Sequence, residues 1–127
     1  MIRVIYRFGY FLSMDDKYQG TIVEESLVDN RILNKLKIKS IRITGEENPN
    51  NRWHLYRVEI EKNEMDWLKN EIKEGWYMHF WKGEEVIALF KGKMFEFYHD
   101  KKESWKKVID YGLSVGIPRE QLDFPKD

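Results

Sequence analysis

Trp76-Tyr77-Met78-His79-Phe80-Trp81, then Lys82-Gly83-Glu84-Glu85, then Val86-Ile87-Ala88-Leu89-Phe90, is the stretch whose reading decides the fold. Lys91-Gly92-Lys93 follows, and Met94-Phe95-Glu96-Phe97-Tyr98 completes it. The two glycines supply the positive φ that tight hairpins demand, so residues 76–100 read as three short antiparallel strands in a meander. Side chains alternate across a strand, which puts Tyr77, His79 and Trp81 on one face of the first and Trp76, Met78 and Phe80 on the other. Both faces are aromatic or apolar. A strand of that kind needs a cover on each side.

Working upstream, Met65, Leu68 and Ile72 recur at helical spacing behind Asn63, a candidate cap, and Gly75 suits the left-handed position after a helix. Before that helix, Lys37–Thr44 and Trp53–Glu61 flank GEENPNN, a run of turn formers, and read as an antiparallel hairpin. Thr21–Leu36 reads as a helix capped at Thr21 or Ser26, with Val28, Ile32, Leu33 and Leu36 on its apolar stripe. The competing reading is a strand over Thr21–Glu25 and a shorter helix after it. Ser13–Gly20 is polar and turn-rich, and Met1–Phe11 alternates as a strand.

Working downstream, Trp105, Val108, Ile109, Gly112 and Leu113 form one stripe of a C-terminal helix at about 101–115. Asp100 and Glu103 are placed to cap it, and Gly116 with Pro118 ends it. Ile117, Leu122 and Phe124 are expected to pack back on the sheet.

In order, the elements are β-α-β-β-α-β followed by β-β-α. The expected fold is a single α+β domain over residues 1–127, with an antiparallel sheet and two or three helices mainly on one face. Its first six elements have the ferredoxin-like order, and the last hairpin widens the sheet. If Thr21–Glu25 is a strand, the alternative is a long meander with helices on one side.

Composition narrows the function classes. Of the 127 residues, 15% are aromatic and 42% hydrophobic, enough for a packed core rather than disorder. Acidic and basic residues balance at 22 each, which removes the global signature of a nucleic-acid binder. There is no cysteine, so disulfides and thiolate metal sites are excluded and a reducing compartment is expected. No run of apolar residues is long enough for a membrane helix, and Arg3 and Arg7 interrupt the N-terminal run. A cytoplasmic protein without membrane contact is the expectation.

Chemistry-bearing residues are scattered. His54, His79 and His99 lie on or beside separate strands, without metal-ligand spacing, so neither a metal nor a cofactor is expected. His79 stands out because Tyr77 and Trp81 share its face. Glu96, between Phe95 and Phe97, is expected to face solvent. Arg31, Lys35, Lys37, Lys39 and Arg42 form a basic stretch over 31–42 that could grip phosphates, although a solvated face is the preferred reading.

WYMHFWKGEEVIALFKGKMFEF (76–97) and YGLSVGIPREQLDF (111–124) resemble stretches of small uncharacterised bacterial and archaeal single-domain proteins. The resemblance implies no activity and carries over no functional residue.

The leading expectation is a non-catalytic domain that binds a small ligand or another protein, a second copy included. It would use the sheet face of Tyr77, His79 and Trp81, with Glu96 a further candidate, because two or three helices are too few to cover both faces. The first alternative is a small enzyme pairing His79 with Glu96. The second is single-stranded RNA binding through 31–42.

Overall fold

The computed structural model describes residues 16–126. The strand expected over Met1–Phe11 lies outside them. Among the described residues six strands form one antiparallel sheet: β1 (Tyr18–Val23), β2 (Lys37–Ile43), β3 (His54–Ile60), β4 (Tyr77–Lys82), β5 (Glu85–Phe90) and β6 (Lys93–Tyr98). Their order is β2-β3-β1-β4-β5-β6. The chain has an α+β architecture, with helix α1 (Lys62–Leu68) between β3 and β4 and helix α2 (Lys106–Ser114) after β6.

The meander is as expected. Gly83 and Gly92, at φ 59° and 75°, turn β4 into β5 and β5 into β6. The β2–β3 hairpin also forms, with a register shift between Ile38 and Ser40.

Thr21–Leu36 departs from the helical reading. Tyr18, Gly20 and Ile22 stand opposite Ile60, Val58 and Tyr56, so this segment joins the sheet as β1. β-branched Thr21, Ile22 and Val23 favour the extended chain, and pairing on both edges adds hydrogen bonds no isolated helix offers. The strand therefore begins inside the segment expected to be a polar turn. Beyond it come 3-10 turns at Glu24–Ser26 and Asn30–Lys35, the latter capped by Asp29, which accepts the Arg31 N–H at 3.0 Å. Leu27, Leu33 and Leu36 anchor these turns in the core.

Caps also differ from expectation. At α1 the Glu64 carboxylate accepts the Glu61 N–H at 2.9 Å, and Asn63 is not the cap. At the C-terminus a 3-10 turn over Lys102–Trp105 precedes α2. Neither that turn nor α2 has a side-chain cap, so the capping expected of Asp100 and Glu103 is not made; Ser104 Oγ instead ties the turn to the end of β6, accepting the Tyr98 N–H at 3.0 Å. Leu113 is 43% exposed, so the buried stripe of α2 is narrower than its sequence spacing implies.

The core has two layers. On one face Met65, Leu68 and Ile72, from α1 and the turn after it, pack with Ile22, Val58, Met78, Phe80, Ile87 and Leu89. On the other, Trp105 and Val108 pack with Trp81, Val86, Ala88, Phe90 and Phe97. Met78 and Phe80 point opposite to Trp81, so α1 and α2 lie on opposite faces rather than mainly on one. Strand β5 is the centre of this sandwich, with Val86–Phe90 buried on both faces. Val86, Ile87, Leu89 and Phe90 each contribute roughly 1.5–3 kcal/mol of transfer free energy before entropy is counted.

Candidate ligand-binding site

Tyr77, His79 and Trp81 do share a face and lie ring to ring, with centroids 6.3 Å apart for Tyr77–His79 and 5.5 Å for His79–Trp81. Their cover is the chain's own tail. Phe124, fully buried, sets its edge against Tyr77 at 5.5 Å and His79 at 5.6 Å. His79 Nε2 lies 2.7 Å from the Pro125 carbonyl oxygen. A carbonyl only accepts, so Nε2 carries the proton. The Tyr77 hydroxyl donates to the Gln121 carbonyl, and burial, with Asp123 adding, pushes that phenol well above its ordinary value. Lys126 fastens the end of the tail, donating to Gly83 O at 3.1 Å and Glu84 Oε2 at 2.8 Å. Arg57 lies over the Trp81 ring at 5.4 Å. The expected shortage of covers overlooked a lid that is not a helix: Leu122 and Phe124 do the work of one.

Glu96 stands opposite Ile87, and Ile87 opposite Phe80, which places it on the α1 face. His79 stands opposite Ala88, on the α2 face. The sheet separates the two, so no acid–base pair forms between them. As expected, Glu96 is exposed, and it pairs with Lys62 at 2.9 Å.

The basic stretch 31–42 is divided. Arg31 pairs with Asp29 at 2.6 Å, and Lys35 lies over the Trp67 ring at 5.7 Å. Lys37 and Lys39 hold the two oxygens of Glu59 at 3.2 and 3.1 Å. No continuous phosphate track results.

Two arrangements escaped the sequence reading. In the first, Glu25 accepts the His54 backbone N–H at 3.0 Å, and its second oxygen lies 2.8 Å from His54 Nδ1. The carboxylate can only accept, so Nδ1 bears the proton. That hydrogen bond, above any burial cost, holds the imidazole above its ordinary value. Burial raises Glu25, but the bonds from His54 outweigh it and leave the carboxyl below its usual range. Alongside, Tyr56 donates to Glu24 at 2.8 Å, and that bond raises the phenol. Residues 25 and 54 meet only because β1 pairs with β3, with Val23 opposite Leu55. No local spacing signals it. Among the described residues, no group of three or more acidic or histidine side chains is placed to hold a metal ion.

The second arrangement is a recess of about 310 Å³ where the entrance to β4, the end of β5 and the C-terminus of α2 converge. Its walls are Trp76, Phe90, Tyr111 and Val115, with Glu74 and Lys91 contributing opposite charges. Gly75, at φ 85°, turns the chain into it. Phe90 is almost fully buried, and Tyr111 meets it edge-on at 5.1 Å. The Trp76 side chain turns to the α1 face, where its ring meets Trp53 edge-on at 5.3 Å, so Tyr111 is the ring that the α2 side brings to the recess. A signal was present in Tyr111, an aromatic residue on α2, but its meeting with Phe90 at the end of β5 depends on tertiary structure. Against protein-family models, curated proteins and solved structures, the chain has no match.

Proposed function

We propose that this chain is a non-catalytic binding domain that takes a small molecule with an ammonium group and an apolar body in the Trp76–Phe90–Tyr111 recess. The observation that carries this reading is the recess itself, where the Tyr111 ring, set edge-on against Phe90, and the Glu74 carboxylate line one opening. Its volume falls at the low end of the roughly 300–1,000 Å³ of ligand pockets, which fits a metabolite-sized guest. Aromatic faces attract a cation within about 6 Å, and Glu74 adds a point charge of the right sign. The C-terminal end of α2, at Val115, carries the negative pole of the helix dipole and acts in the same direction. Lys91 is placed to meet an acid group on the same guest, so zwitterions are favoured over simple amines. The interleaved order β2-β3-β1-β4 supports reading this half of the sheet as a ferredoxin-like variant, with Tyr18–Val23 as its first strand.

A thermal-shift screen tests the binding reading. The panel sets alkylamines, quaternary ammonium compounds and amino acids against organic acids and neutral apolar compounds. A ligand at ten times its Kd stabilises by about 1.4 kcal/mol, well within the reach of the method. Ammonium-bearing compounds are expected to raise Tm, with the response lost in Tyr111→Leu and weakened in Glu74→Gln. A panel without any response, or one indifferent to Tyr111→Leu, would count against the proposal.

A second reading, acid–base catalysis, draws on His54 rather than His79. Glu25 fixes the proton on Nδ1, and Nε2 has no hydrogen-bond partner among the described residues. That is the arrangement of an oriented general base. It predicts an activity that disappears in His54→Gln while the fold persists. An activity unchanged by that substitution would remove it.

A further inference from the structure

We propose that the outer edge of β2 accepts an extended peptide strand of alternating apolar and acidic residues. Among the described residues β2 ends the sheet, and Lys37–Ile43 is exposed along almost its whole length. Ile41 and Ile43 are 59% and 54% exposed, on the face where Tyr56 and His54 stand opposite them. Arg42, between them, points to the other face. Arg42 makes no ion pair among the described residues, whereas Lys37 and Lys39 are both taken up by Glu59.

Backbone direction makes the match specific. Thr44 donates its N–H to Trp53 O at 3.0 Å, so the Thr44 peptide faces β3. Alternation then turns Arg42 and Ser40 toward β3 and leaves the N–H and C=O groups of Ile43 and Ile41 facing outward. The two residues with bare apolar side chains are the two that offer free backbone pairing. An incoming strand that bonds to both sets one residue beside each isoleucine and one opposite Arg42. The favoured sequence there is apolar–acidic–apolar. The register shift between Ile38 and Ser40, with Lys39 between them, blocks regular pairing on the first half of the edge, as guarded edges do. Ser40–Ile43 is what remains open. A second copy is disfavoured in the register that sets Ile41 opposite Ile43, because antiparallel β2–β2 pairing there brings the two Arg42 side chains face to face.

The test is fluorescence anisotropy with a short, capped, labelled peptide alternating valine and glutamate, and a matched peptide with lysine for glutamate. The glutamate peptide is expected to bind the wild-type protein and the lysine peptide is not. Arg42→Glu, an exposed substitution, is expected to weaken the glutamate peptide at least about fivefold and to admit the lysine peptide. Ile41→Asn is expected to weaken binding without exchanging the charge preference. Hydrogen exchange reads the edge directly: the Ile41 and Ile43 amides are unprotected in the free protein and gain protection with peptide. Equal binding of both peptides, or of neither, overturns the proposal. So does protection of those amides in the free protein, which would mean the edge is already taken by the chain itself or by a second copy. Displacement of the peptide by a single-stranded oligonucleotide, with steep salt dependence, would assign the face to nucleic acid instead.

Discussion

Replacing Phe124 by alanine is expected to be among the most damaging single changes in this protein. The side chain is fully buried and meets four rings, those of Tyr77, His79, Phe97 and Trp105, at centroid distances of 5.5, 5.6, 4.9 and 5.2 Å. Phenylalanine-to-alanine changes in cores cost about 3–5 kcal/mol, and a domain holds only about 5–15 kcal/mol in total. About a fifth of the stability or more should therefore go. Urea denaturation followed by tryptophan fluorescence measures it, with Trp105 and Trp81 reporting from the affected layer. The backbone supplies an internal control. Phe124 sits at φ 46°, in the left-handed region, where a residue with a Cβ is strained by about 1–2 kcal/mol. Glycine normally destabilises relative to alanine. At this position Phe124→Gly should be at least as stable as Phe124→Ala. A loss below about 1 kcal/mol for the alanine variant would refute the claim that the tail closes the Tyr77–His79–Trp81 face. A glycine variant clearly weaker than the alanine one would refute the strained turn.

Gly20→Ala should destabilise by roughly 1–3 kcal/mol or more, because a Cβ there would stand 2.5 Å from the His79 carbonyl oxygen and 2.6 Å from a Phe80 ring carbon. A urea midpoint within error of wild type would contradict the close approach of β1 to β4. The His54–Glu25 clamp should make stability depend on pH. The imidazole is raised when folded, so its contribution is complete below its ordinary value of 6.5 and fades as pH rises through the higher folded value. The carboxyl is lowered when folded, so its contribution is complete above 4.5 and fades as pH falls through the lower folded value. The stability difference between wild type and His54→Gln should thus be widest between those two values. A difference independent of pH, or a His54 titration by NMR below 6.5, would refute the clamp.

Local rules made much of the fold legible. The β4–β5–β6 meander follows from glycines that alone reach the turn conformation, and α2 from a repeat of apolar residues that needs no distant partner. The β2–β3 hairpin follows from alternation on either side of a turn-forming loop. Thr21–Leu36 was ambiguous for a physical reason: its leucines suit a helical stripe and its β-branched residues suit a strand. Two neighbouring strands decided in favour of the strand.

The functional reading rested on what covers a surface, and a sequence does not state that. The aromatic faces of β4 could be read from residue alternation alone. Which face stays open could not, because the cover is an irregular tail fixed by Phe124, Pro125 and Lys126 rather than an amphipathic helix. His54 meets Glu25, and Tyr111 meets Phe90, through the three-dimensional path of the chain. Periodicity describes one element at a time. Closure, pairing and recesses belong to elements that touch, and they follow only once the chain has packed.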